Sequence, residues 1–205
     1  MKSFFRLPRL VSAALAGMLL TGCLLRPVTV STRHFVLAPI SANEPAPVKG
    51  HWSVGIGFVK MPSYLLRNSM VVRNGANEIE YIEDARWAER LDQCFQRTLA
   101  ANLSRLLLSD SVSVDPGRDP AQARVSINVQ QFDVDTRGHG TLIAEWRITA
   151  PDHDVPMKSG QARLDRTAAS PRDNPEVIST TLSNLAAEFS RDLAQSIRES
   201  VKPIP

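Results

Sequence analysis

The chain has 205 residues and a formal net charge of +3, from 24 Lys and Arg side chains against 21 Asp and Glu. Three of the bases and none of the acids lie in the first 22 residues, so the rest of the chain has no net charge. This balance gives no electrostatic case for binding nucleic acid or for a broad contact with an anionic membrane. The hydrophobic fraction of 43% is typical of a globular protein with a core.

The first 22 residues have the pattern of a bacterial lipoprotein signal. A basic start (Lys2, Arg6 and Arg9) precedes an apolar run at residues 10–20, and Leu20-Thr21-Gly22-Cys23 then forms a lipobox. At such a motif the Cys23 thiol is acylated, and the chain is cleaved just before it. The alternative is an uncleaved membrane anchor, but the apolar run is shorter than the roughly 20 residues that span a bilayer.

We therefore predict a signal peptide at residues 1–22, a lipidated tether at 23–32 and one domain at 33–205. Leu24 follows the cysteine, where an Asp would resemble an inner-membrane retention signal. Its absence indicates an outer-membrane lipoprotein that faces the periplasm.

The first half of the domain is predicted to contain two strands followed by a hairpin. A strand is predicted at residues 33–38, and a second at 52–60 that is apolar on both faces and therefore central (Val54, Ile56, Phe58 and Val59). Segments 70–73 and 79–82 flank Asn74-Gly75, a pair that favours positive φ, and so they predict a β-hairpin.

A long amphipathic helix is predicted to follow Asp84, which has the chemistry of an N-cap, and to end near Ser109. Its apolar residues recur every three or four positions and form one stripe. The stripe consists of Trp87, Leu91, Phe95, Leu99, Leu103, Leu106 and Leu107. Cys94 lies beside this stripe, and the only other cysteine is Cys23, so we expect Cys94 to be a buried free thiol.

The second half of the domain predicts four more strands and a second helix. A short strand at 112–114 follows the first helix, an order that favours a parallel pair. The strand at 125–134 changes its alternation at Gln130-Gln131, which indicates a bulge. A hairpin at 135–140 leads to a strand at 142–148 and an edge strand at 157–166.

The second helix is predicted to be capped by Asn174, with Pro175 at its first position. Its stripe consists of Ile178, Leu182, Leu185, Phe189, Leu193 and Ile197. The fold class that these elements predict is α/β: a mixed β-sheet with two long amphipathic helices packed on it in a single domain.

No set of residues in the sequence has the spacing of an active site, so we expect no enzyme, no cofactor and no metal. His139 and His153 lie in separate turns, and flanking acids along one turn rarely converge on an ion. Gly55-Ile56-Gly57 lies inside a predicted strand rather than before a helix, so it lacks the context of a phosphate loop. Glu78 and Glu80 have no partner acid nearby in sequence.

Four motifs in residues 52–107 resemble the ABC-type transport auxiliary lipoprotein family (PqiC-like). They are Pro62-x-Tyr64-Leu65-Leu66-Arg67, Met70-Val71-Val72-Arg73, Ile79-x-Tyr81 and Arg86-Trp87-Ala88-Glu89-x-Leu91. The early strand with Phe35-Val36-Leu37 is also similar to the family's opening strand, whereas the chain beyond about residue 120 is similar only in layout.

The resemblance implies an outer-membrane lipoprotein that serves as the auxiliary, docking subunit of an MCE-type intermembrane lipid transport system. Such a system maintains envelope integrity. The implied partners of the lipoprotein are an MCE-domain protein of the PqiB type, the membrane through the N-terminal lipid, and further copies of itself. A second hypothesis is an independent periplasmic lipid carrier or chaperone that holds an acyl chain between sheet and helix. An envelope hydrolase is the third, and the lack of a triad or metal set disfavours it.

The segment from Tyr64 to Arg73 is the candidate partner interface, because it mixes aromatic, aliphatic and Arg residues before a hairpin. The alternative is that its aliphatic residues only cover the edge of the sheet. The predicted interface residues are Tyr64, Leu65, Arg67, Met70, Val71 and Arg73.

Overall fold

Within the residues that the structure describes, eight strands and two helices form the α/β fold with the mixed sheet that the sequence predicts. The computed structural model describes residues 31–41, 51–109, 111–114, 121–151, 156–172 and 174–203. Cys23, the signal peptide and the His153 turn lie outside these ranges. The strands are β1 (Arg33–Phe35), β2 (Val54–Lys60), β3 (Ser69–Asn74), β4 (Glu78–Trp87), β5 (Val112–Ser113), β6 (Ala123–Asp135), β7 (His139–Thr149) and β8 (Pro156–Thr167). The helices are α1 (Leu91–Leu106) and α2 (Glu176–Ser200), and a short 3-10 turn lies at Ser63–Leu66.

Strand β6 organises the sheet. Antiparallel β7 pairs with β6 along one edge, from Arg124↔Thr149 to Val134↔Gly140. Because a strand has only two hydrogen-bonding edges, the parallel strands β2 and β3 must share the other edge, one at each end of β6. The predicted bulge is confirmed, since the register with β7 shifts between Val129 and Gln131.

Both predicted hairpins are present. β3 and β4 pair antiparallel around Gly75, whose φ of 71° is the positive value expected at an Asn-Gly turn. Gly138, with φ of 91°, turns the chain between β6 and β7. A Cβ at Gly138 would lie 2.3 Å from the Ala168 carbonyl oxygen, so a side chain there would displace the backbone after β8. β8 pairs with β7 alone in the described strands, which confirms the predicted edge.

The two helices pack on one face of the sheet through a cluster of three phenylalanines. Phe95 of α1 makes an edge-to-face contact with Phe132 of β6 at 5.1 Å between ring centroids, and Phe189 of α2 lies 6.1 Å from Phe95. All three side chains are fully buried. Asn102 joins the two helices by donating to the Ser190 hydroxyl at 2.9 Å. The residues of both predicted apolar stripes are buried in the core, as expected.

The predicted start of the first helix at Asp84 is wrong. β4 continues to Trp87, and α1 begins at Leu91 after Arg90. The reason is non-local: β1 pairs in parallel with residues 85–87, and the Ala88 N–H donates to the Phe35 carbonyl at 2.9 Å. Trp87 is buried as predicted, but it lies on a strand.

β2 lies between β6 and β5, as predicted for a central strand, but the prediction that Phe58 lies in the core is wrong. Phe58 is 91% exposed, because a shift in register between Ile56 and Val59 turns its side chain away from the core. β5 pairs with β2 in parallel as predicted, but only at Val54 and Gly55. Beyond that point the Gln96 amide of α1 donates to the Ile56 and Gly57 carbonyl oxygens at 3.1 and 2.8 Å.

Cys94 is a buried free thiol, as predicted. Burial is the main cause that raises the pKa of this thiol above its ordinary value, and the Leu37 N–H, which lies 3.2 Å from Sγ, opposes the shift. With Cys23 replaced by Ser, we expect iodoacetamide at pH 8 to label Cys94 only as fast as the protein unfolds. Since the folded-state pKa is raised, stability is fully present below the ordinary thiol pKa and falls as the pH rises above it. Labelling at the rate of a free cysteine would contradict this expectation.

Candidate functional site

The predicted partner interface includes the segment that connects β2 to β3. Both strands pair with β6, but neither pairs with the part of β6 between Asn128 and Val134. The last pair between β2 and β6 is Lys60↔Asn128, and β3 rejoins β6 at Val72↔Val134. Residues 61–68, here called the bridging segment, connect the two strands. The 3-10 turn within it is closed by the Leu65 N–H, which donates to the Pro62 carbonyl at 3.0 Å.

Three of the six predicted interface side chains lie inside the protein. Leu65, Met70 and Val71 are 2%, 0% and 5% exposed and belong to the hydrophobic core. They hold the bridging segment and β3 against the fold, as the alternative interpretation of these residues proposed. They are therefore removed from the candidate surface, which is reduced to Tyr64, Arg67 and Arg73.

Tyr64 and Arg73 converge on Asp133 of β6, whose side chain is 1% exposed. Arg73 binds both carboxylate oxygens, with Nε 3.1 Å from Oδ1 and Nη2 2.6 Å from Oδ2. The Tyr64 hydroxyl donates to Oδ2 at 2.7 Å and accepts from Arg73 Nη2 at 3.1 Å. Gln131 Nε2 donates to Oδ1 at 2.9 Å. This Tyr64–Arg73–Asp133 cluster satisfies the buried carboxylate with four donors.

The electrostatics of the cluster fix its protonation. Burial and then the negative charge of Asp133 raise the pKa of the Tyr64 hydroxyl, so it stays a hydrogen-bond donor. The hydrogen bond to Asp133 raises the pKa of the Arg73 guanidinium, which stays charged. The cluster therefore links β3, the bridging segment and β6 through a bidentate ion pair and a tyrosine hydrogen bond.

Arg67 is the exposed member of the candidate surface. Its guanidinium carbon lies 4.8 Å from the centroid of the Tyr81 ring, a cation–π distance. The Tyr81 hydroxyl in turn donates to the Tyr64 carbonyl at 3.4 Å. Arg67 is therefore exposed to solvent while it packs on Tyr81, and Tyr81 is hydrogen-bonded to the backbone of Tyr64 in the buried cluster.

Sequence reasoning missed Asp133. It lies between Phe132 and Val134, which face the helices, so alternation alone places Asp133 on the opposite, solvent-facing side of the strand. Its burial comes from the bridging segment and Arg73, which cover it from elsewhere in the chain. The phase change at Gln130-Gln131 is the local signal that this part of β6 is unusual.

The other sequence candidates remain apart in the structure. No group of three or more His, Cys, Asp or Glu side chains within the described ranges is arranged to hold a metal ion. Gly57 lies within β2, where a Cβ would approach the Val125 carbonyl to 3.3 Å, so close strand packing explains this glycine. No helix among the described residues is long and apolar enough to cross a membrane.

Comparison with known proteins gives one family match. The model of a family described as ABC-type transport auxiliary lipoprotein component matches residues 35–194. This range contains the bridging segment, the cluster, α1 and most of α2. No curated protein matches the chain.

Solved structures share the fold at low sequence identity. Protein XCC0632 from Xanthomonas campestris superposes with a TM-score of 0.68 at 12% identity, covering 80% of this chain and 93% of that one. The structure of an uncharacterized protein gives a TM-score of 0.62 at 18% identity, with coverage of 82% and 99%. The PelC dodecamer from Paraburkholderia phytofirmans is less similar, with a TM-score of 0.41 at 14% identity over 73% of this chain and 87% of that one.

Proposed function

Since the chain belongs to the family of ABC-type transport auxiliary lipoprotein components, we propose that it is the outer-membrane docking subunit of an MCE-type intermembrane lipid transport system. Its partner is an MCE-domain protein of the PqiB type, and the complex maintains the integrity of the envelope. The observation that carries the proposal is the arrangement of the bridging segment. The buried Leu65 side chain and the Tyr64–Arg73–Asp133 cluster attach this segment to the fold, and the exposed Arg67 side chain packs on the Tyr81 ring.

The anchor of the proposed subunit is Cys23, which lies outside the described residues. Acylation there with diacylglycerol and palmitate supplies three chains, and each buried methylene contributes about 0.8 kcal/mol. This is enough for firm attachment at the periplasmic side of the outer membrane. Apolar cargo crosses water only at a high free-energy cost, so a continuous apolar path needs a fixed end at the membrane that it serves.

The rigid mounting of Arg67 suits a protein–protein contact. Arginine is enriched at binding hot spots, and its cation–π contact with Tyr81 reduces the side-chain entropy that binding would otherwise remove. We also propose, on the family resemblance, that copies of the subunit associate around the end of the partner's tunnel. The contact requires no catalytic group, in keeping with a non-enzymatic role.

Replacing Arg67 by Glu is expected to weaken the complex with the MCE-domain protein at least tenfold, because an exposed, pre-oriented cation becomes an anion. The measurement is co-purification and titration of the full-length lipoprotein with that partner. Arg67→Lys, which keeps the charge, should retain more of the affinity than Arg67→Glu. Arg137→Glu is the matched control, since it reverses an exposed Arg in the β6–β7 turn. Unchanged affinity in Arg67→Glu would remove the bridging segment from the interface.

The packing between the sheet and the helices argues against the independent lipid carrier. The space where a carrier would hold an acyl chain is filled by Phe95, Phe132 and Phe189, all fully buried. Native mass spectrometry of the detergent-free domain tests this alternative. A bound lipid at stoichiometric occupancy would favour the carrier, and its absence would favour the docking subunit.

A further inference from the structure

Phe58 stands out on the surface of the sheet that faces away from the helices. Its side chain is 91% exposed, whereas the next most exposed large apolar residue of the described chain, Val36, is 49% exposed. The ring borders a shallow groove of about 350 Å³, lined also by Lys60, Asn128, Glu145 and Arg147. We call Phe58, Lys60 and Arg147 the Phe58 patch.

The outward position of Phe58 is built into strand β2. The register shift between Ile56 and Val59 directs Val59 into the core and leaves Phe58 on the open face. The Gln96 amide holds the Ile56 and Gly57 carbonyl oxygens, so the strand immediately before the ring is fixed to α1. A phenyl ring presented this way loses little conformational entropy when a partner covers it.

Two basic residues and one acidic residue line the groove beside the Phe58 ring. Neither Lys60 nor Arg147 takes part in an ion pair among the described residues. Glu145, the acid in the same groove, accepts hydrogen bonds from Gln130 at 2.9 Å and Asn128 at 3.4 Å. The patch is thus an apolar anchor beside two cations, and its complement is an apolar pocket flanked by carboxylates.

The patch lies on the same face of the sheet as the Tyr64–Arg73–Asp133 cluster. Lys60 is in register with Asn128, which faces away from the helices. The bulge in β6 shifts the alternation, so Asp133 also lies on that side, opposite Phe132. β2, which carries Phe58 and Lys60, leads directly into the bridging segment.

We infer that the Phe58 patch is a second part of the docking surface, which inserts the Phe58 ring into an apolar pocket flanked by carboxylates on the transport partner. This inference rests on the proposed function, because it assigns the pocket to the MCE-domain protein. A single protruding ring favours a protein pocket over a bilayer, since surfaces that enter a membrane present several apolar side chains together.

A photo-crosslinking phenylalanine analogue at position 58 of the full-length lipoprotein tests the inference in cells. We expect a crosslink to the MCE-domain protein from position 58 and none from position 36, where Val36 is a 49% exposed control that borders a groove lined by α2. A crosslink from position 58 to phospholipid or to a second copy would overturn the inference. So would the lack of a crosslink while the complex still co-purifies. Failure of the complex to form at all would instead overturn the proposed function.

Titration of the purified lipoprotein with the periplasmic part of the MCE-domain protein supplies the second measurement. Phe58→Ser is expected to raise the Kd at least tenfold, and Lys60→Glu combined with Arg147→Glu should raise it by a similar factor. Val36→Ser, beside α2, is expected to leave the Kd unchanged. Equal Kd values for wild type and Phe58→Ser, with the complex intact, would contradict the inference.

Discussion

Replacing Arg73 by Met is expected to lower the free energy of unfolding by about 3 kcal/mol. The substitution leaves the Asp133 carboxylate, only 1% exposed, without its bidentate cation. Breaking a buried ion pair on one side typically costs about 3–5 kcal/mol, because an uncompensated charge stays buried. The lower end applies here because the Arg73 side chain is 21% exposed and Tyr64 and Gln131 still donate to the carboxylate.

Urea unfolding followed by circular dichroism measures this effect. The matched control is Arg163→Met, which breaks the ion pair with Asp165 between two exposed side chains and should cost less than about 1 kcal/mol. The double variant Arg73→Met with Asp133→Leu should be more stable than Arg73→Met alone, because the orphaned charge is gone. If Arg73→Met lowered the free energy of unfolding no more than Arg163→Met, the Arg73–Asp133 ion pair would not stabilise the fold as proposed.

Replacing Phe95 by Ala is expected to destabilise the domain by about 3–5 kcal/mol, the usual cost of truncating a buried phenyl ring. Phe95 is fully buried and contacts both Phe132 of the sheet and Phe189 of α2. Its loss leaves a cavity at the point where the two helices and the sheet meet. Thermal unfolding should show a lower Tm, and the bound fraction of partner should fall only as the folded fraction falls.

Phe58→Ala is the control for the same chemical change at the surface. Because Phe58 is 91% exposed, this substitution should change stability by no more than about 0.5 kcal/mol. The two variants separate folding from docking: Phe95→Ala lowers stability, and Phe58→Ala lowers partner affinity in a stable protein. Comparable destabilisation by both substitutions would mean that Phe58 packs against the fold.

The elements that the sequence predicts well are those whose signals are local. The Asn74-Gly75 hairpin, the alternation of β7 and the apolar stripe of α2 each follow from a few neighbouring residues. Gly75 takes the positive φ that its dipeptide favours. Cys94 follows the same logic, since a thiol beside a helical stripe is buried with it.

The features that sequence reasoning missed depend on contacts between distant parts of the chain. β4 extends through Trp87 because β1, about fifty residues earlier, pairs with it, so Asp84 never caps a helix. Asp133 is buried because Tyr64 and Arg73 cover it. Phe58 is exposed because one register shift reverses the face of β2. Within the candidate interface, the residue types did not separate the buried side chains of Leu65, Met70 and Val71 from the exposed Arg67.

The measurement that tests the docking role most directly is affinity purification of the full-length lipoprotein from crosslinked, detergent-solubilised envelopes, with mass spectrometry of the co-purified proteins. We expect an MCE-domain protein of the PqiB type to be recovered with the wild-type chain and to be depleted with Arg67→Glu. Recovery of the lipoprotein without any MCE-domain protein, from envelopes that contain one, would contradict the account.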